Sequence, residues 1–457
     1  MAIKIPVSKS TPSHIAEAKV FSNSGNEPVR LERGVFSLTY YESILQDTIQ
    51  ASFVFADTGT NVNGGKNAVD GVPITGSEQF HLHFADNNGN ELIFKDEEGG
   101  QNNALFVNDV TPLLNDTTKS LTQLQLVSKE YILNEKIRIN SRMDGLVSQH
   151  IEKILTLEKY LNTKKNIDIE RTILEINETP KNKKPFYIMN ELSKKGVSAE
   201  NQKLGKSAGY FLYETSEGFR FKSIDGMLSQ EPKLKVLYNE TTSQSDSEMP
   251  QGYDVKALTY ERYNLVNVQK KLAIGAFTSR VLTFNPFTFS FDVANPQSFL
   301  FEQEDGYKTG GEEIFKLNEE FNTEGISGKS KGDFSITSLK MTSVGGLQIG
   351  NTETQLSKSK EVDFTIDQIL NQSFMRYNQL FTSQVSITIP GDFSLHAGDA
   401  IVVDAPLVES DTKNDDINDQ SGGLYIISDL AHYVTPHETF TKLNLIRDSF
   451  GIKPKND

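Results

Sequence analysis

Cysteine and tryptophan are both absent from the 457 residues of this chain. Without cysteine there are no disulfides, thiolate metal sites, iron–sulfur clusters or cysteine nucleophiles. Positive charge is in deficit: Lys+Arg 46 against Asp+Glu 61 leaves a net −15 at pH 7. That balance argues against a nucleic-acid binder working through a broadly basic surface. No apolar run approaches the roughly 18 residues of a membrane-spanning helix. The opening MAIKIPVSKS lacks the apolar stretch of a secretory signal, so a soluble, acidic chain made where it folds is expected. Length is ample, enough for about two to four domains. Phe (28) and Tyr (15), which favour strands, tilt the composition toward β structure.

The most regular segments alternate with period two between Gly, Asn, Asp or Pro. In Gln50–Asp57, Ala51, Phe53 and Phe55 share a face. In Ser383–Pro390, Val385, Ile387 and Ile389 do so. Leu124 and Leu126 oppose Gln123 and Gln125 in Leu121–Val127, and Leu443 and Leu445 oppose Lys442 and Asn444 in Phe440–Ile446. These patterns predict half-buried antiparallel strands. The middle of the chain reads differently. Ser148–Leu157 has helical spacing at Ile151, Ile154 and Leu155, with Ser148 as N-cap. Pro185–Lys195 predicts a helix with Pro185 at its first position, a stripe of Ile188, Met189 and Leu192, and Gly196 as terminator. Lys159–Asp168 and Lys181–Lys184 are expected to be exposed. Thr58–Thr75, Glu409–Gly423 and Thr241–Gly252 are polar loops, the last a candidate linker.

An internal repeat is the strongest feature. Gln50–Ala56 matches Gln384–Pro390 at an offset of 334 (384 − 50), and Gly76 matches Gly398 at 322. Leu105–Val110 matches Tyr425–Leu430 at 320, and Leu121–Val127 matches Phe440–Ile446 at 319. Any one match is worthless, because short alternating strands resemble each other. Four in chain order, with the largest change of offset at the Thr58–Thr75 loop, argue for a duplicated small β domain at the two ends.

Motifs that carry chemistry fare poorly. Leu204-Gly-Lys-Ser207 ends like a P-loop, but Glu200 stands where the first glycine belongs, and the strand-like Tyr210–Tyr213 follows instead of a helix. Gly205–Gly209 and Gly328–Gly332 match GxSxG formally, yet polar sequence precedes both, so they read as turns. His81 and His83 share one strand face with Asp86 nearby, and a solvated face is expected rather than zinc. Asp411–Asp419 has calcium-type ligands, but Asp416 occupies the position of the essential glycine. The seven histidines (His14, His81, His83, His150, His396, His432, His437) select no catalytic triad. No catalytic, cofactor-binding or metal residue is assigned, and no bond-making role is expected of His81, His83, Ser207 or Asp429.

Three segments resemble the baseplate central hub proteins of contractile-tailed, T-even-like bacteriophages. They are SGGLYIISDLAHYVTPHETFTKLNLIRDSFG (Ser421–Gly451), PFYIMNELSKKGVS (Pro185–Ser198) with KSAGYFLYETSEGFRFKSIDGM (Lys206–Met227), and SKEYILNEKIRINSRMDG (Ser128–Gly145). Together they cover about 80 residues in the family's order. The chain is longer than the family's type member, with the surplus expected in Thr58–Thr75, Glu409–Gly423 and Ser298–Lys358. The resemblance implies a β-rich α+β multidomain fold with two similar tube-type antiparallel β-barrels and an intervening mixed α+β region. The expected domains are 1–127 for the first barrel, 128–254 and 291–366 for the middle region, and 255–290 with 367–457 for the second barrel and tail. Within 255–290, Leu272–Gly275, Arg280–Phe284 and Thr288–Val293 are expected strands. The resemblance further implies a homotrimer whose six barrels adapt a trimeric central spike protein to a hexameric tail tube protein, beside other baseplate proteins. A channel would pass DNA without specific binding, in a virion tail baseplate assembled in the host cytoplasm. A β-rich adhesin or carbohydrate-binding module, and a cell-wall hydrolase, stay open as other classes.

Overall fold

The alternating segments at the two ends of the chain enter one mixed sheet of fifteen strands in the computed structural model. The structure describes residues 11–24, 27–58, 74–95, 103–116, 118–199, 208–238, 252–263, 266–276, 279–285, 289–293, 308–318, 336–341, 353, 366–405 and 420–451. Most of the three polar loops, the Leu204–Ser207 and Gly328–Gly332 segments, Asp411–Asp419 and most of Ser298–Lys358 lie outside them.

The first half of the sheet comprises β1 (His14–Phe21), β2 (Val29–Arg30), β3 (Val35–Ser43), β4 (Gln50–Asp57), β5 (Gln79–Ala85), β6 (Glu91–Phe94), β7 (Leu105–Asn115) and β8 (Ser120–Ser128). The middle region follows with α1 (Lys129–Lys136), β9 (Met143–Leu146), α2 (Val147–Thr156), β10 (Ile167–Ile169), β11 (Glu175–Glu178), α3 (Pro185–Ser193), β12 (Tyr210–Thr215), β13 (Gly218–Ser223) and α4 (Ile224–Ser229). Then come β14 (Leu234–Leu237), β15 (Val255–Lys256), β16 (Thr259–Arg262), α5 (Val268–Ala273), β17 (Ser279–Asn285), β18 (Ser290–Val293), β19 (Glu313–Ile314), β20 (Ile336–Met341) and α6 (Ile366–Leu380). The chain closes with β21 (Ser383–Pro390), β22 (Ala400–Asp404), β23 (Gly423–Val434), β24 (Thr439–Arg447) and β25 (Ser449–Phe450).

The two halves of the large sheet repeat one strand order. The first runs β1-β5-β7-β8-β4-β3 and the second β14-β22-β23-β24-β21-β16. The register repeats too. Ala51 faces Leu126 and Phe53 faces Leu124, as Val385 faces Leu445 and Ile387 faces Leu443. A β-bulge inserts Asn108 between Val107 and Asp109 of β7, and another inserts Ser428 between Ile427 and Asp429 of β23. A shared bulge is harder to reach by chance than a shared strand pattern, because it is a one-residue insertion. One equivalence shifts by a residue. Ser77 N donates to the Val107 carbonyl as Gly398 N donates to that of Ile427, so Ser77, not Gly76, corresponds to Gly398. Both sit at positive φ, 66° and 82°. The halves differ where β1 runs antiparallel to β5 but β14 parallel to β22.

In each half a bent segment reaches both outer strands of the array. β2 pairs β1 and leads through a short turn into β3, which pairs β4. β15 pairs β14 and leads into β16, which pairs β21. The two halves meet in one ladder, since β3 pairs antiparallel with β23 from Leu38–Val434 to Ser43–Asp429. A single apolar core, including Phe53, Phe80, Leu124 and Leu126 with Ile387, Leu430, Leu443 and Leu445, runs through both.

Several expectations need correction. Leu272–Gly275 is not a strand but the end of α5 and its following turn. β17 and β18 are strands, but they form a separate three-stranded sheet with β20 rather than joining the second half. That half instead takes β14, from a stretch expected to belong to the middle region. Ser148 does not cap α2: the cap position is Leu146, and Ser148 exchanges hydrogen bonds with Thr172 inside the fold. Within Lys159–Asp168, Leu161, Thr163 and Lys165 are buried.

The middle region has its own core, in which Ile151, Ile154 and Leu155 of α2 pack with Ile188, Met189 and Leu192 of α3. β12 (YFLYET) is buried on both faces. Tyr210 and Leu212 enter that core, while Phe211 and Tyr213 enter a third cluster with Ile44, Leu380, Ile426 and Ile446. Strand β12 is thus the wall between the middle region and both halves of the sheet.

Candidate functional site

Polar groups concentrate where these three parts converge. Glu42, near the end of β3, is 2% exposed. Its Oε1 accepts from the Tyr40 hydroxyl (2.7 Å) and Ser216 N (2.8 Å), and its Oε2 from Ala397 N (2.9 Å). His396 Nδ1 lies 3.3 Å from Glu42 Oε1, and Nε2 lies 3.4 Å from Glu217 Oε1. One carboxylate therefore fastens the first half to the β12–β13 hairpin and to the turn before β22. Burial disfavours charge on His396, but the Glu42, Glu217 and Asp399 carboxylates outweigh it and lift its pKa to about 9. The hydrogen bond from His396 holds Glu217 down at about 2.

Ser216 Oγ is 3.4 Å from His396 Nδ1, so a serine, a histidine and a glutamate meet here. The arrangement is not a proton relay. Serine and Glu42 compete for the same ring nitrogen, Glu217 occupies the other, and a histidine charged at neutral pH cannot accept a proton.

A second cluster joins the first half to the middle region. Lys165 Nζ lies 2.8 Å from Glu130 Oε2 and 2.6 Å from Glu214 Oε1, all three side chains being almost fully buried. Glu214 Oε2 also accepts from Ser128 Oγ (2.6 Å) and Ile49 N (3.2 Å). Two acids share one base, so burial and the Glu130 charge push Glu214 above the usual carboxylate range. Burial opposes charge on Lys165, but the two carboxylates prevail and raise it.

The segments that carry the family resemblance supply further joints. Ser223 caps α4 by accepting from Gly226 N (2.9 Å), and Asp225 receives both terminal nitrogens of Arg376 from α6, at 3.2 and 2.5 Å. Arg447 is fully buried; its Nη1 donates to the Gly422 carbonyl, Nη2 to that of Gln420 and Nε to that of Ser449. Asp448 and Ser449 accept from Gly310 N and Gly311 N. Sequence reading matched these phrases by likeness alone; no local signal shows that Asp225, Asp448 and Ser449 are buried joints, because Arg376, Gly310 and Gly311 lie more than a hundred residues away in the chain.

His81 and His83 are half-buried rather than solvated: His81 Nδ1 is 3.8 Å from Glu17 Oε1, His83 Nε2 is 3.4 Å from Glu91 Oε1, and His81 packs on Phe21. Asp86 staples a turn, accepting from Asn88 N, Asn90 N and Phe393 N. Among the described residues no group of three or more His, Asp or Glu side chains is placed to hold a metal ion. Asp429 accepts from Ser43 Oγ (2.6 Å) across the β3–β23 junction. Among the described residues no helix is long and apolar enough to cross a membrane.

No protein-family model matches the chain, and no curated protein matches it. Solved structures do. A tail protein from Neisseria meningitidis superposes with a TM-score of 0.50 at 9% identity, over 96% of this chain and 97% of that one. A prophage tail protein from Shewanella oneidensis follows at 0.48 and 8%, over 94% and 98%. A prophage tail protein from Listeria monocytogenes stands at 0.42 and 8%, over 97% and 96%. The chain has the fold of the Neisseria tail protein over almost its whole length. The solved structures that it matches also include a component of the Escherichia coli type VI secretion system and a phage P2 baseplate.

Proposed function

We propose that this chain is a structural subunit of a phage-type tail baseplate hub. On this reading each half of the large sheet is a tube-type β-barrel, and three copies assemble so that six barrels surround a channel for DNA. One side of the ring meets a hexameric tail tube, and the other holds a trimeric central spike beside other baseplate proteins. The observation that carries the reading is the repeated strand order and register of the two halves, down to the bulges at Asn108 and Ser428. A duplicated unit in a three-fold assembly offers six near-equivalent positions, which is what an adaptor between three-fold and six-fold partners requires. The three-fold half of the argument comes from the sequence resemblance. The net charge of −15 suits a channel that DNA slides through, if part of it lines the lumen, because like charge prevents tight phosphate contacts.

The role is mechanical on this reading, carried out in a virion baseplate assembled in the host cytoplasm. The polar clusters act as joints, and purified chain leaves cell-wall peptidoglycan intact. The test is mass in solution, alone and with the cognate spike protein, followed by end-on imaging. A trimer with six near-equivalent lobes is expected. A chain that stays monomeric and binds neither spike nor tube protein at micromolar concentration overturns the proposal.

A further inference from the structure

The junction between the two halves inside one chain uses two strand edges, and the duplication leaves a second copy of each. Strand β23 pairs β22 up to Ile426, passes the bulge at Ser428, and then offers the same edge to β3. Ile44 N donates to the Ser428 carbonyl at 2.9 Å, which starts that ladder. The repeat equates β23 with β7 and β3 with β16. Past its own bulge at Asn108, β7 pairs β8 on one edge, and among the described residues no strand pairs the other. Strand β16 pairs β21 on one edge, and likewise no described strand pairs its other edge.

The side chains follow the same logic. Leu38 and Leu430 are buried at the formed junction, while their counterparts Tyr260 and Val110 are half-buried. On the opposite face, Tyr41 and Tyr433 are 43% and 42% exposed at the formed junction, and their counterparts Tyr263 and Leu114 match them at 48% and 47%. Strand edges that pair nothing invite strand addition. Here the partner that fits is already known in outline, because the chain holds the same pairing within itself.

We infer that β16 of one copy adds antiparallel, in a second copy of this chain, to the edge of β7 that no described strand pairs. This deepens the trimer reading above and rests on it. Transferring the β3–β23 register through the β4–β8 and β21–β24 ladders sets Thr111 opposite Tyr263, Pro112 opposite Arg262 and Leu114 opposite Glu261. Pro112 corresponds to His432, whose backbone faces β3, so this β7 edge lacks one N–H donor. A proline at that place weakens pairing with arbitrary strands while leaving its carbonyl and the groups of Val110 for the specific partner. The contact is head-to-tail, and it makes a closed ring when the rotation between copies closes.

The absence of cysteine makes the register directly testable. Thr111 and Tyr263 correspond to Ala431 and Tyr41, which alternate with the hydrogen-bonded positions of their ladder, where facing Cβ atoms lie about 4.5–5.5 Å apart and a disulfide can form. The double variant Thr111→Cys/Tyr263→Cys, oxidised as the assembled protein, should run on a denaturing gel as linked multiples of the chain and return to single chains on reduction. Leu114→Cys/Glu261→Cys is a second in-register pair should the first fail to fold. Thr111→Cys/Thr259→Cys is out of register and should stay unlinked. Tyr41→Cys/Ala431→Cys should close within one chain without changing its mass. If the protein is trimeric but neither in-register pair links, or the out-of-register pair links as well, the edge inference falls and the trimer stands. If the full chain is monomeric at micromolar concentration, both fall.

Discussion

Two histidines near the β3–β23 junction show how position alone sets chemistry. His396, clamped by Glu42 and Glu217, has its pKa lifted to about 9, whereas His432, buried against Tyr40 and Phe393, is driven by burial down to about 3. Their contributions to stability run in opposite directions. A raised folded-state pKa means that the His396 contribution is full below the unfolded value near 6.5 and is lost as pH rises toward 9. A depressed one means that the His432 contribution is full above that value and is lost as pH falls toward 3. Denaturant midpoints measured from pH 4 to 10 should therefore fall at both ends. His396→Gln should flatten the alkaline limb and His432→Gln the acid limb, and a variant that leaves its own limb unchanged refutes the assignment. The Lys165 cluster obeys a different rule: removing one member strands a buried charge. Lys165→Met should cost about 3–5 kcal/mol in an unfolding titration, because Glu130 and Glu214 then face each other unpaired. A loss under about 1 kcal/mol would mean that the site admits water.

At the scale of the element, alternation decides which face is core. Leu443 and Leu445 in β24 are buried, Lys442 is exposed and Asn444 half-buried. Leu443→Ala or Leu445→Ala should cost on the order of 2–5 kcal/mol in urea unfolding, and Lys442→Ala under about 0.5. Comparable losses at all three positions would place a partner on the outer face. This much was legible from sequence, since Phe53, Leu124, Ile387 and Leu443 all sit where the two-residue period put them. The helix Pro185–Ser193 was legible as well, from Pro185 at its start and Gly196 beyond its end. Leu272–Gly275 misled because a short apolar run carries no period of its own, and Asn267 caps a helix there by accepting from Lys270 N. Ser148 misled because a serine beside a helical stripe reads as a cap until a residue such as Thr172 competes for it.

For the whole molecule, the continuity of the sheet is the governing fact. The first and second halves share the β3–β23 ladder and one apolar core, so neither is an isolated unit. Thermal unfolding followed by far-ultraviolet circular dichroism and by tyrosine fluorescence should give one coincident transition for the large sheet. Two well-separated transitions would show that the halves fold independently. The sequence by itself determined the β-rich class, the strand faces, the duplication and the likeness to tail proteins, because each is written in residue order: a period, an offset or a phrase. Tertiary structure decided which strand meets which across hundreds of residues. It gave β14 rather than β17 to the second half, joined β3 to β23, and buried Lys165, Arg376 and Arg447 against distant partners. A pairing between positions 43 and 429 leaves no mark in the local order of either segment, since its energy appears only when the chain has brought them together.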